Sequence, residues 1–160
     1  MSSSTLSLPA SLSPALNVRE AIADALYRCV LSFDTGDVSL FHSSMTKDAT
    51  FDLNGRIMEG IEAIQAQCYD PVSKLDTTHF ITNLRINVAN GGTTATITAN
   101  ALAQHYRTGT GKEPNATRLL TGSLYWLDVV KDEKEDLWKI KKWILKPTWF
   151  EGDFGVMTGN

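Results

Sequence analysis

The sequence has only two cysteines and five prolines, and it lacks both long apolar runs and clustered basic residues. Cys29 and Cys68 stand in helix-like segments without a CxxC motif or histidines at ligand spacing, which argues against a disulfide framework or a zinc site. The short apolar runs exclude a membrane-spanning helix. Because lysines and arginines are scattered among acidic residues, no basic stripe can follow a phosphate backbone, and nucleic acid is not an expected partner.

The remaining composition is that of an ordinary globular protein. The chain is 42% hydrophobic and 21% charged, with a net charge of −3. Its length of 160 residues suffices for one domain with a substantial core. Residues 1–15 are rich in serine and lack the basic start and apolar stretch of a secretory signal. We therefore predict a flexible tail over 1–15, a single domain over 16–160 and a reduced, cytoplasmic setting.

Helical and extended patterns occupy different parts of the chain. Apolar residues recur about once per turn from Asn17 to Gly36, and shorter helix-like segments cover "VSLFHSS" and "GIEAIQAQCY", the latter ending at Pro71. From residue 78 onward the apolar period is two, with hairpin signals at "NGG" and "KDEKED". Helices first and strands afterwards predict an α+β fold. We expect a curved antiparallel sheet packed against N-terminal helices, forming a cone whose mouth can hold a ligand.

One face of the predicted sheet carries small side chains. In the strand 93–107 the odd positions are the more apolar and should face the helices. They include Ala99, Ala101, Ala103 and His105. The matching row in the next strand contains Leu119, Thr121, Ser123, Tyr125 and Leu127. Small side chains leave room, so we predict a cavity with Ala101, Thr121 and Ser123 in its wall and a polar group at one end.

The stretch "TTHFITN", residues 77–83, places His79 where an apolar strand starts. Imidazole titrates near neutrality and is costly to bury among apolar groups without a partner. A lone buried histidine is more often structural than catalytic, Asp34 could simply make a turn, and His105 could lie at the rim in water. The hypothesis of a catalytic site rests on the three residues together, because the side chains of Asp34, His79 and His105 can all point into one cavity.

The same segments carry a family resemblance. In order, "SFDTGD", "THFITN", "AQHYR", "TGSLYW" and the closing "TWFEGDF" resemble the scytalone dehydratases. More broadly they resemble the SnoaL-like group of the nuclear transport factor 2-like superfamily. The resemblance covers roughly residues 16 to 155 and implies a cystatin-like cone, in agreement with the α+β fold predicted from the residue pattern.

The resemblance also implies roles for the three polar residues. In those dehydratases an aspartate at the end of the first helix orients a histidine at the start of a long strand. These positions correspond to Asp34 and His79, and a second histidine falls on His105. An aspartate that accepts from one imidazole nitrogen fixes the tautomer and leaves the other nitrogen as a base. The chemistry implied needs no metal and no cofactor.

The chain departs from the dehydratase pattern at four positions. Phe33 and Leu53 stand where the family has two tyrosines that hold a water against the substrate carbonyl. Ser123 replaces an asparagine that binds substrate, and Thr121 replaces a nearby serine. Scytalone is therefore not the expected substrate, and we expect a more apolar pocket.

These inferences predict cofactor-independent acid–base chemistry on a small polyketide- or terpenoid-like metabolite. Dehydration by β-elimination is the first interpretation, with His79 as base and His105 positioning or protonating the leaving oxygen. One alternative is an isomerase or cyclase, including a pericyclic catalyst in which Phe33, Leu53 and Trp149 mould the substrate. The other is a small-ligand-binding module that performs no chemistry.

The outer face of the predicted sheet favours self-association. Its larger apolar side chains are Leu102, Tyr106, Leu120, Leu124 and Trp126. Such a face is more apolar than contact with water requires. We expect a homo-oligomer, a dimer or a trimer, and the resemblance to the scytalone dehydratases favours three subunits.

Overall fold

The computed structural model describes residues 8–159 and begins its regular structure with two helices. Helix α1 (Val18–Thr35) starts at a capping box, in which Asn17 accepts the N–H of Glu20 and Glu20 accepts the N–H of Asn17. It ends at Gly36, whose left-handed backbone closes the last turn. Helix α2 (Val38–Ser44) follows with Asp37 as its N-cap. Both predicted helices are confirmed.

The third helical segment is irregular. Helix α3 (Ile61–Ile64) passes into a π-helical turn (Gln65–Tyr69) and then into helix α4 (Asp70–Val72). The sequence predicts a stop at Pro71, whereas the helical segment continues to Val72. The proline is tolerated because it lies in the first turn of α4, where a missing N–H costs little.

Six strands form one sheet. They are β1 (Met45–Leu53), β2 (Arg56–Glu59), β3 (Asp76–Val88), β4 (Thr94–Tyr106), β5 (Arg118–Asp132) and β6 (Leu137–Gly152). Their order is β2-β1-β6-β5-β4-β3, so β2 and β3 are free edges and the sheet does not close. Register shifts in the β3–β4 and β5–β6 pairs bend it. A short helix, α5 (Gly155–Thr158), follows the last strand. The α+β fold with N-terminal helices on a curved sheet is confirmed.

The sheet is mixed rather than wholly antiparallel. Strand β1 pairs antiparallel with β2 and parallel with β6, where Phe51 lies opposite Trp143. The other neighbouring pairs are antiparallel, as predicted. The parallel pair was not predicted because β1 and β6 are far apart in the sequence and no turn signal joins them.

The helices cover one face of the sheet, and that face is the predicted one. The odd positions of β4 from Ala95 to His105 are buried, whereas the even positions are exposed or half-buried. The buried row belongs to the same core as one side of α1, which contributes Ile22, Ala25, Leu26, Cys29, Val30 and Phe33. Burial of this apolar surface is the main force that holds α1 to the sheet.

The opposite face of the sheet exposes large apolar side chains. Leu102, Trp126 and Trp149 each expose more than a third of their surface. The Lys146 ammonium lies 5.7 Å from the centre of the Trp126 ring. Leu102 and Trp149 flank Gly122 in register across three strands, so they form part of one patch. Self-association through this face stays a prediction.

Three smaller expectations concern the ends of the chain and its thiols. The first seven residues of the predicted tail lie outside the described residues, and 8–17 contain no helix or strand, so the flexibility of 1–15 stays a prediction. None of the described helices combines the length and apolar character that a bilayer crossing requires. Cys29 and Cys68 are both free thiols.

Candidate active site

A cavity of about 360 Å³ opens over the buried face of the sheet. Its wall is mainly apolar and aromatic, with contributions from α1, the strands and the C-terminal segment. The apolar side chains that define its shape include Phe33, Phe51, Leu53, Leu119, Leu145 and Phe150. Cavities of roughly 300–1,000 Å³ with a few polar groups are typical sites for small organic ligands.

Asp34 and His79 form a hydrogen-bonded pair at the wall of this cavity. Asp34 lies in the last turn of α1, and His79 lies near the start of β3, on which α1 packs. Asp34 Oδ1 is 2.6 Å from His79 Nδ1, and Asp34 Oδ2 accepts the backbone N–H of His79 at 2.8 Å. The carboxylate therefore keeps a proton on Nδ1 and leaves a lone pair on Nε2. With side-chain exposures of 10% for His79 and 14% for Asp34, the pair is largely shielded from water.

His105, on the neighbouring strand β4, lies beside His79. The two ring centres are 5.7 Å apart and the ring planes are nearly perpendicular. His105 Nδ1 lies 3.2 Å from the Leu119 carbonyl oxygen, to which it donates, so Nε2 keeps its lone pair. Burial, reinforced by His79, lowers the pKa of His105 from 6.5 to about 4. Near pH 7 His105 can therefore accept a hydrogen bond from a substrate hydroxyl, but it has no proton to give from Nε2.

Four of the predicted substrate-binding residues line the cavity: Phe33, Leu53, Thr121 and Ser123. The Phe33 ring packs against the His79 ring, with centres 5.8 Å apart, and against Tyr69 at 5.2 Å. An aromatic ring at this place excludes water from the imidazole without offering a hydrogen bond. Ser123 is buried and presents its hydroxyl on the same face of β5 as Thr121.

Two of the predicted substrate-binding residues do not line the cavity, and neither does Asp34, which contacts the lining residue His79 from behind. Ala101 is buried in the main hydrophobic core, among residues that α1 covers. Trp149 lies on the outer face, where its ring fills the space above Gly122; a Cβ at that glycine would fall 2.2 Å from the ring. If inward- and outward-facing residues alternated regularly along β6 from Trp143, Trp149 would face the cavity. A bulge in β6, opposite the Gly122–Ser123 step of β5, shifts the alternation by one residue. Phe150 takes the inner position instead.

Five aromatic residues that line the cavity were not predicted: Phe51, Tyr125, Trp143, Phe150 and Phe154. Tyr125 lies two residues after Ser123 on the same face of β5, and Trp143 lies on β6. Their rings meet edge to face with centres 5.1 Å apart. The signal for Tyr125 was present, because it belongs to the row of β5 that the sequence places toward the helices. A side chain as large as tyrosine, however, is typical of a residue that packs in the hydrophobic core.

The C-terminal segment forms the mouth of the cavity. Phe150, Phe154 and Met157 line it while remaining partly exposed, and the two phenyl rings meet at 4.8 Å. Between them Gly152 has a φ of +111°, and a Cβ there would lie 2.1 Å from the Arg118 carbonyl oxygen. The glycine of "WFEGDF" is therefore required by backbone contact, which lets β6 turn back over the cavity.

The cavity has no recognisable metal site. Among residues 8–159, no three histidine, cysteine, aspartate or glutamate side chains converge so that they could hold an ion. The polar groups in the described lining include two imidazoles, three hydroxyls, one amide and one thiol, and the Asp34 carboxylate acts on the cavity through His79.

Comparison with known proteins relates most of the chain to one family. A family model described as a SnoaL-like domain matches residues 14–144. "Terrestric acid biosynthesis cluster protein E" of Penicillium crustosum is 52% identical over 149 residues, which are 93% of this chain and 95% of that protein.

Solved structures share the fold at lower identity. A protein assigned as a scytalone dehydratase from Novosphingobium aromaticivorans DSM 12444 aligns with a TM-score of 0.70 and 19% identity, over 84% of this chain and 87% of that chain. Hexachlorocyclohexane dehydrochlorinase LinA-type3 from Novosphingobium barchaimii LL02 aligns with a TM-score of 0.67 and 19% identity, over 86% and 91%. A cystatin-like protein from Nostoc punctiforme PCC 73102 aligns with a TM-score of 0.64 and 16% identity, over 81% and 90%. At these identities the likeness concerns the fold alone.

Proposed function

Because this chain belongs to the SnoaL-like domain family, within the nuclear transport factor 2-like superfamily, we propose that it is a tailoring enzyme for a small secondary metabolite. Its reaction is acid–base chemistry with His79 as the base. The observation that carries the proposal is the Asp34–His79 pair at the wall of an apolar cavity. The relative from Penicillium crustosum is named for a biosynthetic cluster, which supports the same class of role. Action without a cofactor, in the cytoplasm and as a homo-oligomer is part of the proposal.

The cavity supports a substrate that is small and largely apolar. A volume of about 360 Å³ accommodates a polyketide- or terpenoid-like skeleton of modest size. Aromatic and aliphatic side chains make up most of the wall, whereas the imidazoles stand together on β3 and β4. The skeleton would therefore lie against the apolar wall and present one polar, reactive part to the histidines.

The reaction we favour is dehydration of a β-hydroxy carbonyl compound. His79 Nε2 takes the proton from the carbon beside the carbonyl, and the electron pair of that C–H bond moves toward the carbonyl oxygen to give an enolate. The enolate electrons then form the new carbon–carbon double bond as the C–O bond breaks. Asp34 stabilises the imidazolium that forms. A positioned general base of this kind contributes typically about 10²–10⁴-fold to the rate.

The proton needed by the departing hydroxyl comes from His79 itself. His105 is neutral near pH 7, so it accepts a hydrogen bond and positions the hydroxyl rather than protonating it. The proton collected on His79 Nε2 is then returned to the leaving oxygen, which departs as water. Since one imidazole serves both atoms, hydrogen and hydroxyl leave from the same side of the substrate.

Isomerisation or cyclisation is the second candidate, and the same neutral His105 favours it. If the imidazolium returns its proton to another carbon instead of to oxygen, the product is an isomer.

The replacement of two family tyrosines by Phe33 and Leu53 is compatible with a ligand carrier. A carrier, however, gains little from a carboxylate that holds one imidazole tautomer.

The test is proton exchange at carbon. A panel of aliphatic and aromatic β-hydroxy ketones is incubated with the protein in D₂O, and NMR follows deuterium uptake while mass spectrometry follows loss of water. We expect both activities for at least one skeleton, and their loss in His79→Ala. His42→Ala is the matched control, because His42 is exposed on α2 and bonds Gln65 outside the cavity. Tight binding without exchange, or full exchange in His79→Ala, contradicts the proposal.

A further inference from the structure

Two aromatic residues in contact at the cavity each carry a hydrogen-bond donor without a partner in the described chain. Tyr125 is buried and lines the cavity, yet its hydroxyl makes no hydrogen bond to any residue of the described chain. Trp143 lines the same cavity, and its indole N–H is buried and equally unpaired within residues 8–159. The two rings are in contact, so the unpaired donors lie in one region of the wall.

A donor left unpaired in an apolar cavity calls for a ligand, and of these two only the Tyr125 hydroxyl is open to one, because the Trp143 N–H is fully buried. Burying a polar group without a hydrogen bond is destabilising, and buried side-chain donors in proteins are nearly always satisfied. Tyr125 is held on both sides, since β5 pairs with β4 at Ala99 and with β6 at Leu145. With its ring fixed by this packing and by Trp143, the hydroxyl cannot turn to find a partner elsewhere. An oxygen atom of a bound molecule is the partner that fits a phenol donor.

We infer that the Tyr125 hydroxyl donates a hydrogen bond to the carbonyl oxygen of the substrate. The inference rests on the proposed function, in which His79 removes a proton from the carbon beside that carbonyl. Negative charge then develops on the oxygen as an enolate forms, and a preorganised donor stabilises this charge more than it stabilises the ground state. Tyr125 would thus donate the hydrogen bond to the carbonyl oxygen that Phe33 and Leu53, which have no hydroxyl, cannot donate.

The electrostatics of the site agree with this role. Burial raises the pKa of Tyr125, and the Asp34 carboxylate acts in the same direction. The phenol therefore stays protonated throughout the working range and remains a donor. Tyr125 and His79 line the same cavity, so one bound molecule can contact both.

The inference narrows the substrate class. The molecule must offer a carbonyl oxygen to the β5–β6 side of the cavity and a carbon acid to His79 on β3. Aldehydes, ketones and their vinylogous equivalents meet this requirement. Apolar molecules without such an oxygen should gain nothing from Tyr125.

The test compares two probes of nearly the same shape. 2-Acetylnaphthalene has a carbonyl that only accepts hydrogen bonds, and 2-isopropenylnaphthalene carries a CH₂ in place of that oxygen. We expect Tyr125→Phe to weaken binding of the ketone about tenfold, as loss of one hydrogen bond does, while binding of the alkene is unchanged. Tyr69→Phe is the matched control, because Tyr69 is buried outside the cavity lining and should leave both affinities unchanged.

A spectroscopic readout keeps the test independent of folding and of turnover. The carbonyl stretching band of bound 2-acetylnaphthalene should lie at lower frequency in the wild-type protein than in Tyr125→Phe. His79→Ala should keep the lowered band even if it abolishes exchange, so failure of base catalysis and failure of this inference can be told apart. An unshifted band in the wild type, or equal weakening of both probes in Tyr125→Phe, would overturn the inference.

Discussion

Asp34 uses both of its carboxylate oxygens on His79, one on the imidazole Nδ1 and one on the backbone N–H of the same residue. The two contacts, at 2.6 and 2.8 Å, fix the ring relative to the strand that carries it. A carboxylate at the end of a helix thus sets the position, rotation and tautomer of the base at once. That arrangement makes the pair sensitive to small changes in Asp34.

Replacing Asp34 by asparagine should be severe although the two side chains have the same shape. The amide has one acceptor oxygen for two N–H groups, so either the backbone contact is lost or the ring adopts the tautomer with Nε2 protonated. We expect a loss of about 10²–10⁴ in kcat with the fold intact, as for removal of a positioned base. Deuterium uptake measures the rate, and ¹⁵N NMR of His79 reports the tautomer. The control is Asp37→Asn, which keeps an N-cap on α2 and should leave the rate unchanged.

His105→Gln should be milder than His79→Ala. If His105 only positions a substrate hydroxyl, its loss removes one hydrogen bond, and a decrease of about tenfold in kcat/KM is expected. Steady-state kinetics on an eliminating substrate measures the two variants side by side. A loss in His105→Gln as large as that in His79→Ala would mean that His105 takes part in proton transfer.

The stability of the protein should decrease in mild acid because of His105. Its pKa is about 4 in the folded chain against 6.5 ordinarily, so below pH 6.5 the unfolded state binds more protons than the folded state. The stabilisation is fully present above pH 6.5 and is lost as the pH falls toward 4. Between pH 7 and pH 5 the free energy of unfolding should fall by about 2 kcal/mol from this group alone. Urea unfolding at both pH values should show that loss in the wild type and a correspondingly smaller one in His105→Gln.

Gly152→Ala should destabilise the mouth of the cavity. The residue has a φ of +111°, and a Cβ would lie 2.1 Å from the Arg118 carbonyl oxygen, which is backbone and cannot rotate away. We expect a cost of more than about 2 kcal/mol, from backbone strain and a forced separation of β5 from β6. Gly91→Ala in the β3–β4 hairpin has a similar φ of +98° with no atom within 4 Å, and should cost only the strain. Thermal unfolding compares the two variants, and equal costs would argue against the contact.

The outer face of the sheet should join copies of this chain. Leu102, Trp126 and Trp149 expose apolar surface on neighbouring strands, and a second copy offers the same surface in return. Light scattering at micromolar concentration should give a dimer or a trimer. Trp126→Lys, which places a charge beside Lys146, should shift the distribution toward monomer while substrate turnover per chain persists. A monomeric wild-type protein contradicts the prediction.

How much of this site can be predicted from the sequence depends on the regular alternation of inward- and outward-facing residues along each strand. His79 and His105 could be assigned to one face because each lies an even number of residues from buried neighbours within an unbroken part of its strand. Trp149 could not be assigned in this way, because the bulge in the β5–β6 pair leaves Trp143 and Phe150, an odd number of residues apart, on the same face. No signal in the sequence marks this bulge. Ala101 faces the predicted side, but only the packing of α1 decides which part of that face is open. Tyr125 needed the structure, since an unpaired hydroxyl is a property of its surroundings.

The place of β6 in the sheet has a consequence for how the chain folds during synthesis. Residues 137–152 form the strand that lies between β1 and β5, so the strand made last joins the two halves of the sheet. Until the ribosome has released it, β1 has no partner on the side away from β2, and the apolar face of α1 has only part of its surface covered. Pairings of this kind close long loops, and their entropy makes folding slow. The nascent chain should therefore remain protease-sensitive and dependent on chaperones until β6 emerges, and a premature stop before residue 137 should leave no stable sheet.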